Sequence, residues 1–264
     1  MKFIEHLKNR GEGREHPQPP WHLHDKLKCY DFCDVVGIPT VKVLRNFRHP
    51  SDIVLEGLPD EFVLKPTYHS SSIGVMVLSR TDNGFYDAMT RKELTLHDII
   101  EKQLKIHDEH PKKDGKPTIV EEKIVDSGGG LIPQDYKAYC FQGDVAFILQ
   151  LDRNDGRTRV AWYDGNFVPI TDDRIYTNEK YLTLKEPCRP VEWSRLLALA
   201  KRASTAVPTP FASIDMYATT RGPVLGEITL VPGGFYFGKY FVPSEAQDTV
   251  AGKMWEEALV RLGR

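Results

Sequence analysis

The sequence has no apolar run near the roughly 18 residues that a membrane-spanning helix needs. The opening stretch MKFIEHLKNRGEGREHPQPPW has no apolar core of the secretory kind, so a cytoplasmic protein is expected. Charge of one sign is also missing: 35 Lys and Arg stand against 37 Asp and Glu, scattered along the chain. No basic stripe marks a nucleic-acid partner and no basic amphipathic stretch marks a membrane one. Cysteine is sparse. Cys29 and Cys33 lie four apart, Cys140 and Cys188 stand alone, and no second pair has zinc-finger spacing, so packed, reduced thiols are expected. Internal repeats, low-complexity tracts and a Gly-Lys-Ser/Thr phosphate loop are absent too.

What remains is an ordinary globular composition, 41 % apolar and 27 % charged over 264 residues, enough for one large domain or two small lobes. Asp25 can cap a helix carrying Leu27, Tyr30, Cys33 and Val36, stopped by Gly37 and Pro39. Val41–Leu44, Glu61–Lys65, Gly74–Arg80 and Thr118–Ile124 read as strands, and Thr95 with Asp98 resembles a capping box for a helix to about His110. Asp135–Phe141 and Asp144–Leu151 form a hairpin about Gln142-Gly143, 152–190 is loop-rich, and Pro190 opens a helix. A second hairpin, Phe211–Tyr217 with Pro223–Val231, precedes a last helix capped by Ser244. Residues 1–20, polar and proline-containing, read as a loosely docked lead-in. The mixture predicts an α+β fold with mostly antiparallel sheets.

The second hairpin carries the most chemistry. With its turn centred near Arg221, Asp215 faces Glu227 and Ser213 faces Thr229, all on one side, while Ile214, Met216, Ile228 and Leu230 fill the other. Two opposed carboxylates would sit about 5 Å apart and repel unless a cation lies between them. Oxygen donors of this kind suit Mg²⁺ or Mn²⁺. A solvated face whose acids only keep the sheet soluble is the alternative.

Other polar sets are weaker alone. Lys65 ends an apolar strand and is followed by Thr67-Tyr68-His69-Ser70-Ser71-Ser72-Ile73-Gly74, whose hydroxyls and N–H groups can cradle phosphate or form a plain turn. Glu121, Glu122, Lys123 and Ile124 end a strand that can meet an adenine or serve as a charged sheet edge. Asp135 and Lys137 share one strand face, and Arg153, Arg157 and Arg159 cluster about Asn154-Asp155-Gly156, suited to phosphoryl or carboxylate oxygens or simply solvated. His22 and His24 receive no role.

The order of these segments resembles the ATP-grasp superfamily and, within it, the TupA-like branch linked to teichuronopeptide and other surface-polysaccharide biosynthesis. The matching stretches, from about Asp25 to Val242, are Asp25-Lys26, LPDEFVLKP with its serine-rich loop, IVEEKI, DYKAYCFQG, DRNDGRTRVAWYDGNF and DMY…GEITLVPGG. KP…SSSIGV is also similar to the phosphate loop of D-alanine–D-alanine ligases, and DYKAYCFQG followed by Arg153 to the ribosomal-protein glutamate-ligase branch. The resemblance implies two α+β lobes clamping ATP, a division into 21–122 and 123–264 after the lead-in, and Mg²⁺ or Mn²⁺ as the metal. It implies phosphate contacts from Lys26, Lys65, Ser70, Ser71, Ser72 and Gly74, adenine contacts from Glu121 to Ile124, a ribose contact from Asp135, and metal held by Asp215, Glu227 and Thr229. Many relatives carry Asn at the position of Thr229, and relatives often carry Arg at that of Ser213; Lys137, Arg153 and Arg159 are the available catalytic substitutes. About 20 residues precede the match, where many grasp ligases carry a further domain that shapes the acceptor site, so this chain is expected to build that site otherwise.

The resemblance leads first to an ADP-forming carboxylate–amine ligase, working through an acyl phosphate on a small carboxylate and an amine or hydroxyl, such as an amino acid and a uronic acid. A kinase for a sugar or small molecule on the same scaffold, and a nucleotide-binding module without chemistry, are the alternatives.

Overall fold

In the computed structural model, which describes residues 1–69, 72–111 and 115–264, the first forty residues hold helix α1 (Phe3–Gly11) and helix α2 (Lys26–Val35). Asp25 caps α2 as expected, accepting from the Leu27 and Lys28 N–H groups at 3.1 and 3.3 Å. Helix α1 corrects the expectation of a loose lead-in. Phe3, Leu7 and Arg10, at helical spacing, are fully buried, and the Phe3 ring meets Phe211 edge-on at 5.1 Å. Only three positions make this stripe, and one is arginine, so polar composition concealed it.

Strands β1 (Val43–Phe47), β2 (Glu61–Pro66), β3 (Met76–Thr81), β4 (Gly84–Asp87) and β5 (Lys92–Leu94) follow, then helix α3 (Leu96–Glu109) and β6 (Thr118–Glu122). Thr95 and Asp98 form the expected capping box on α3. Among the described residues these strands make one antiparallel six-stranded sheet in the order β1-β6-β2-β3-β4-β5. Phe62, Leu64, Met76, Leu78, Ile99 and Val120 form its core against α3. Each such side chain contributes on the order of 1.5–3 kcal/mol by leaving water. The short β4 and β5 are additions to the expected set.

The rest of the chain supplies β7 (Asp135–Phe141), β8 (Asp144–Asp152), β9 (Arg159–Asp164), β10 (Pro169–Ile170), β11 (Ile175–Thr177), β12 (Thr183–Leu184), helix α4 (Trp193–Ala206), β13 (Ala212–Thr219), β14 (Gly222–Thr229), the short α5 (Gly233–Tyr236), β15 (Phe241–Pro243) and α6 (Glu245–Arg261). A seven-stranded sheet runs β10-β9-β8-β7-β13-β14 with β12 beside β9, and β11 pairs β15. Strands β9 to β12 lie in the segment expected to be loop-rich. β9 reads Arg-Val-Ala-Trp-Tyr-Asp, apolar on both faces because both faces are covered, and so lacks the polar alternation that signals a strand.

Strand alternation sorts this sheet into two faces. Ala138, Cys140, Ile148, Tyr163 and Ile214 pack on one face, in a core that includes Leu196 and Ala200 of α4 and Cys29 and Cys33 of α2. Tyr139, Phe147 and Trp162 face the other way, in a core with Phe3, Phe211 and Trp255. The four cysteines are unpaired, and three are buried.

The chain forms two compact units, Val41–Val125 and Met1–Thr40 with Asp126–Arg264. The expected division at 122/123 therefore gives way to one in which residues 21–40 belong with the C-terminal part. The physical reason is direct: Leu23, Cys29, Cys33 and Ile38 complete the core of the seven-stranded sheet, and Leu225 N–H donates to the Pro39 carbonyl at 2.8 Å.

Candidate functional site

Strands β7, β13 and β14 place a row of charged side chains on one face. Asp215 stands opposite Lys137 on one side and Glu227 on the other. Ser213 lies opposite Tyr139 and Thr229 in the neighbouring row. The predicted pairing of Asp215 with Glu227 is therefore present, but its origin differs. The turn is one residue tighter than a centre at Arg221 implies: Thr219 pairs Gly222 and Met216 pairs Leu225. The register then shifts between Met216 and Asp215, leaving Gly226 as a bulge that brings Glu227 to Asp215. A Cβ on Gly226 would stand 2.6 Å from the Tyr217 ring, so the bulge position requires glycine.

The row is an ion cluster. The Lys137 ammonium donates to Asp215 Oδ2 and lies 3.2 Å from Asp135 Oδ2. Arg153 also reaches Asp135 Oδ2, at 3.3 Å, and Lys26 Nζ is 3.9 Å from Glu227 Oε1. Ser213 Oγ donates to Asp215 Oδ1 at 3.0 Å. Burial works to lower the Lys137 pKa, but the carboxylates of Asp135, Asp215 and Glu227 outweigh it and hold the lysine above its ordinary value. Burial pushes the Asp215 carboxyl up to about 7; Lys137 opposes the rise and the acids Asp135 and Glu227 add to it.

Lys26, Asp135, Lys137, Arg153, Asp215, Glu227 and Thr229 are thus brought together, but Arg159 is not. It pairs in the sheet with Asp152, on the face that carries Gln150, and binds Asp152 and Asp155 at 3.0 and 2.7 Å. Lys137 points to the opposite face, so alternation alone separates the two.

The other unit holds the remaining candidates. Lys65 Nζ lies 2.7 Å from Glu121 Oε2, with both side chains largely buried. Glu122 is tied to Lys42, whose N–H donates to it at 2.7 Å, Lys123 pairs with Glu61, and Ile124 is buried. Ser70 and Ser71 lie outside the described residues. Ser72 and Gly74 both have left-handed backbone, at φ 61° and 76°. The Gly74 carbonyl accepts from the buried Gln103 amide at 2.7 Å, which fixes the end of the loop.

Residues 4–254 match the model of the TupA-like ATP-grasp proteins. The chain belongs to the TupA-like ATP-grasp family. Its fold is similar to that of D-alanine–D-alanine ligase from Bacillus anthracis, with a TM-score of 0.53 at 14 % identity over 91 % of this chain and 68 % of the ligase. The same ligase complexed with ATP gives 0.50 at 13 % identity, over 91 % and 65 %. The ATP-grasp ligase PsnB, complexed with precursor peptide PsnA2 and AMPPNP, gives 0.46 at 12 % identity, over 93 % of this chain and 60 % of PsnB. No curated protein matches the chain.

The metal that this family implies can be tested against the residues present. Among the described residues no three His, Cys, Asp or Glu side chains form a ready metal cage. Mg²⁺ rarely needs one: it is held by one or two carboxylates and completed by water and substrate phosphate. Among the described residues Asp135 Oδ1 is buried and has no hydrogen-bond partner, and Glu227 keeps 30 % of its side chain exposed beside the buried Asp215. Hard oxygen donors with a spare buried acceptor fit Mg²⁺ in this TupA-like protein.

Sequence reasoning missed the residues that hold β14 from outside. His24 Nε2 accepts the Leu230 N–H at 2.9 Å, and the Tyr30 hydroxyl donates to the Gly226 carbonyl at 3.3 Å. Arg10 Nη1 donates to the Phe211 and Leu230 carbonyls at 2.7 and 3.1 Å. For Arg10 the signal was its helical spacing with Phe3 and Leu7, and for Tyr30 its place on the helix capped by Asp25; neither marks a contact with β14, and His24 carried no signal.

Proposed function

We propose that this TupA-like ATP-grasp protein is an ATP-dependent carboxylate–amine ligase that releases ADP and phosphate. One observation carries the reading: a buried acid directly opposite a half-exposed one, flanked by a lysine and an arginine, in a chain of this family. The substrate carboxylate takes the terminal phosphoryl group of ATP to give an acyl phosphate and ADP. An amine then attacks the acyl carbon, phosphate leaves, and an amide remains after the amine loses its proton. The amino-acid and uronic-acid class of substrates is supported by the family likeness alone.

The chain's own residues act by position and charge. Asp215 and Glu227, with Thr229 beside them, are the residues that would hold Mg²⁺; when bound, Mg²⁺ supplies charge neutralisation at the phosphates. Lys137 and Arg153 take the place of the arginine absent at Ser213 and offset negative charge on the transferred group. Arg159, on the other sheet face, is left out of this role. In the other unit Lys65, Ser72 and Gly74 are assigned to phosphate, and the strand from Glu121 to Ile124 to adenine. Asp135, assigned to ribose from the resemblance, is instead given the task of holding Lys137 and Arg153 in place.

The test is the thermal midpoint with and without millimolar ATP and Mg²⁺, for wild type and Glu227→Gln. Ligand at ~100 times Kd stabilises by about 2.7 kcal/mol, roughly 5–10 °C at this size. A rise of that order that requires Mg²⁺ and shrinks in the variant is expected. No rise at saturating ATP, or amide formation by Glu227→Gln at the wild-type rate, would overturn the reading.

A further inference from the structure

Strand β14 ends the order of the seven-stranded sheet, so among the described residues no named strand lies beside its outer edge, which meets only an isolated bridge from Thr40 to Leu225. Such an edge leaves backbone groups to be paired by other means. Here the residues of the first forty do so. Leu225 N–H donates to the Pro39 carbonyl, the Gly226 carbonyl accepts from Tyr30, and Leu230 is held by both of its peptide groups. Its N–H goes to His24 Nε2 and its carbonyl to Arg10 Nη1. Because Nε2 accepts, the neutral His24 ring carries its proton on Nδ1.

Arg10 is itself built in. It is fully buried, its Nη2 donates to Thr209 Oγ1 and Glu15 Oε1 at 2.9 Å each, and its guanidinium lies 4.3 Å from the centre of the Trp255 ring. The same Nη1 that holds Leu230 also holds Phe211, so one guanidinium ties together the open ends of both strands of the acid-bearing hairpin.

The bulge makes this anchoring consequential. A slip of β14 by one residue would remove the bulge, set Gly226 opposite Asp215 and turn Glu227 to the other face. Leu230 lies three residues beyond Glu227 and one beyond Thr229, the last residue of β14, at the open end of the hairpin, where fixing the backbone opposes that slip.

We propose that His24 and Arg10 are positioning residues for metal binding: by pinning Leu230 they lock the bulged register that sets Glu227 and Thr229 against Asp215. The proposal rests on the assignment of Asp215 and Glu227 to the metal. His24→Phe keeps a ring but no acceptor, and His24→Gln keeps an acceptor. Mn²⁺ serves as the probe, titrated by electron paramagnetic resonance into protein with ADP, alongside ADP affinity without metal, the metal-free thermal midpoint, and amide exchange of the peptide spanning 226–231.

His24→Phe is expected to bind Mn²⁺ about tenfold or more weaker, as loss of a residue that orients metal ligands does, with metal-free ADP affinity unchanged and faster exchange over 226–231. His24→Gln is expected to recover most of the loss. Should His24→Phe not fold, Arg10→Lys, whose single shorter ammonium replaces the guanidinium fork that spans the two carbonyls, Thr209 and Glu15, provides the same comparison. Wild-type Mn²⁺ affinity in His24→Phe overturns the proposal, as does an equal loss in the Phe and Gln variants that follows their thermal midpoints. Wild-type protein that fails to bind Mn²⁺ with ADP overturns the metal assignment and the proposal together; a wild type that binds beside an unaffected variant overturns the proposal alone.

Discussion

Replacing Lys137 by Met tests the ion cluster most sharply. Three carboxylates, Asp135, Asp215 and Glu227, face three cations, Lys137, Arg153 and Lys26. Lys137 is the cation that touches two of the acids, and 26 % of its side chain remains exposed. Methionine fills a similar volume without the charge, so the buried Asp215 loses the ammonium and keeps the Ser213 hydroxyl as a hydrogen-bond donor. Removing one partner of a buried pair costs about 3–5 kcal/mol, and the partial exposure of Lys137 favours the lower end. At roughly 2–4 °C per kcal/mol for a protein of this size, the midpoint without metal should fall on the order of 10 °C. Mg²⁺ should then stabilise the variant more than the wild type, because a second cation restores what the ammonium supplied. Thermal unfolding by circular dichroism, with and without 10–20 mM MgCl₂ (about that range, chosen to saturate a weak site), reads both effects. A loss below about 1 kcal/mol, or equal stabilisation of both proteins by Mg²⁺, would refute the view that Lys137 compensates a cation site.

Gly74→Ala should cost about 2–4 kcal/mol, since the left-handed backbone disfavours a side chain and the new Cβ would meet Pro66 at 2.9 Å; urea unfolding that shows less than about 1 kcal/mol speaks against the fixed loop end. With Asp215 pushed up to about 7, its folded form binds protons more readily than the unfolded chain, so metal-free stability falls as pH rises from the ordinary carboxylate range to about 7. Mg²⁺ must displace that proton, so its affinity should drop by up to about tenfold per unit below pH 7, and calorimetry in buffers of different ionisation heat should detect proton release; none would be seen if Asp215 were already ionised. His6, stacked on Trp255 at 4.7 Å, is lowered to about 4, by burial first and then by the N-terminal ammonium. Its folded pKa lies below the unfolded one, so stability is full above pH 6.5 and declines towards pH 4, by roughly 1–2 kcal/mol after allowing for solvent screening; His6→Phe should flatten that slope.

The hairpin that carries the acids was legible because strand alternation and two acids at mirrored positions need nothing beyond the local sequence. The pairing is right by a compensation, however: the tighter turn and the Gly226 bulge offset one another, and a bulge leaves no mark that a glycine in any strand would not also leave. Caps at Asp25, Thr95 and Ser244 were legible for the same local reason. The burial of α1 and the attachment of 21–40 were not, because their partners lie some 200 positions away and the contacts are made by His, Arg and Tyr, residue types that local patterns count as surface. Arg159 illustrates a third limit. Its proximity in sequence to Arg153 suggested a shared role, while the parity of β9 sends it to the opposite face.

The attachment of the first forty residues to β14 sets a timing problem during synthesis. The segment that pins Leu230 leaves the ribosome about 170 residues before the hairpin it pins. At 5–20 residues per second that is roughly 10–35 s, during which the cores around Phe3, Leu7, Leu23 and Cys33 lack β13 and β14. Meanwhile Val41–Val125, whose strands and helix pair among themselves, can fold as soon as it emerges. The larger unit therefore closes late and through long-range contacts, after the smaller one has folded locally, an order expected to be slow and to engage chaperones that shield the waiting N-terminal segment.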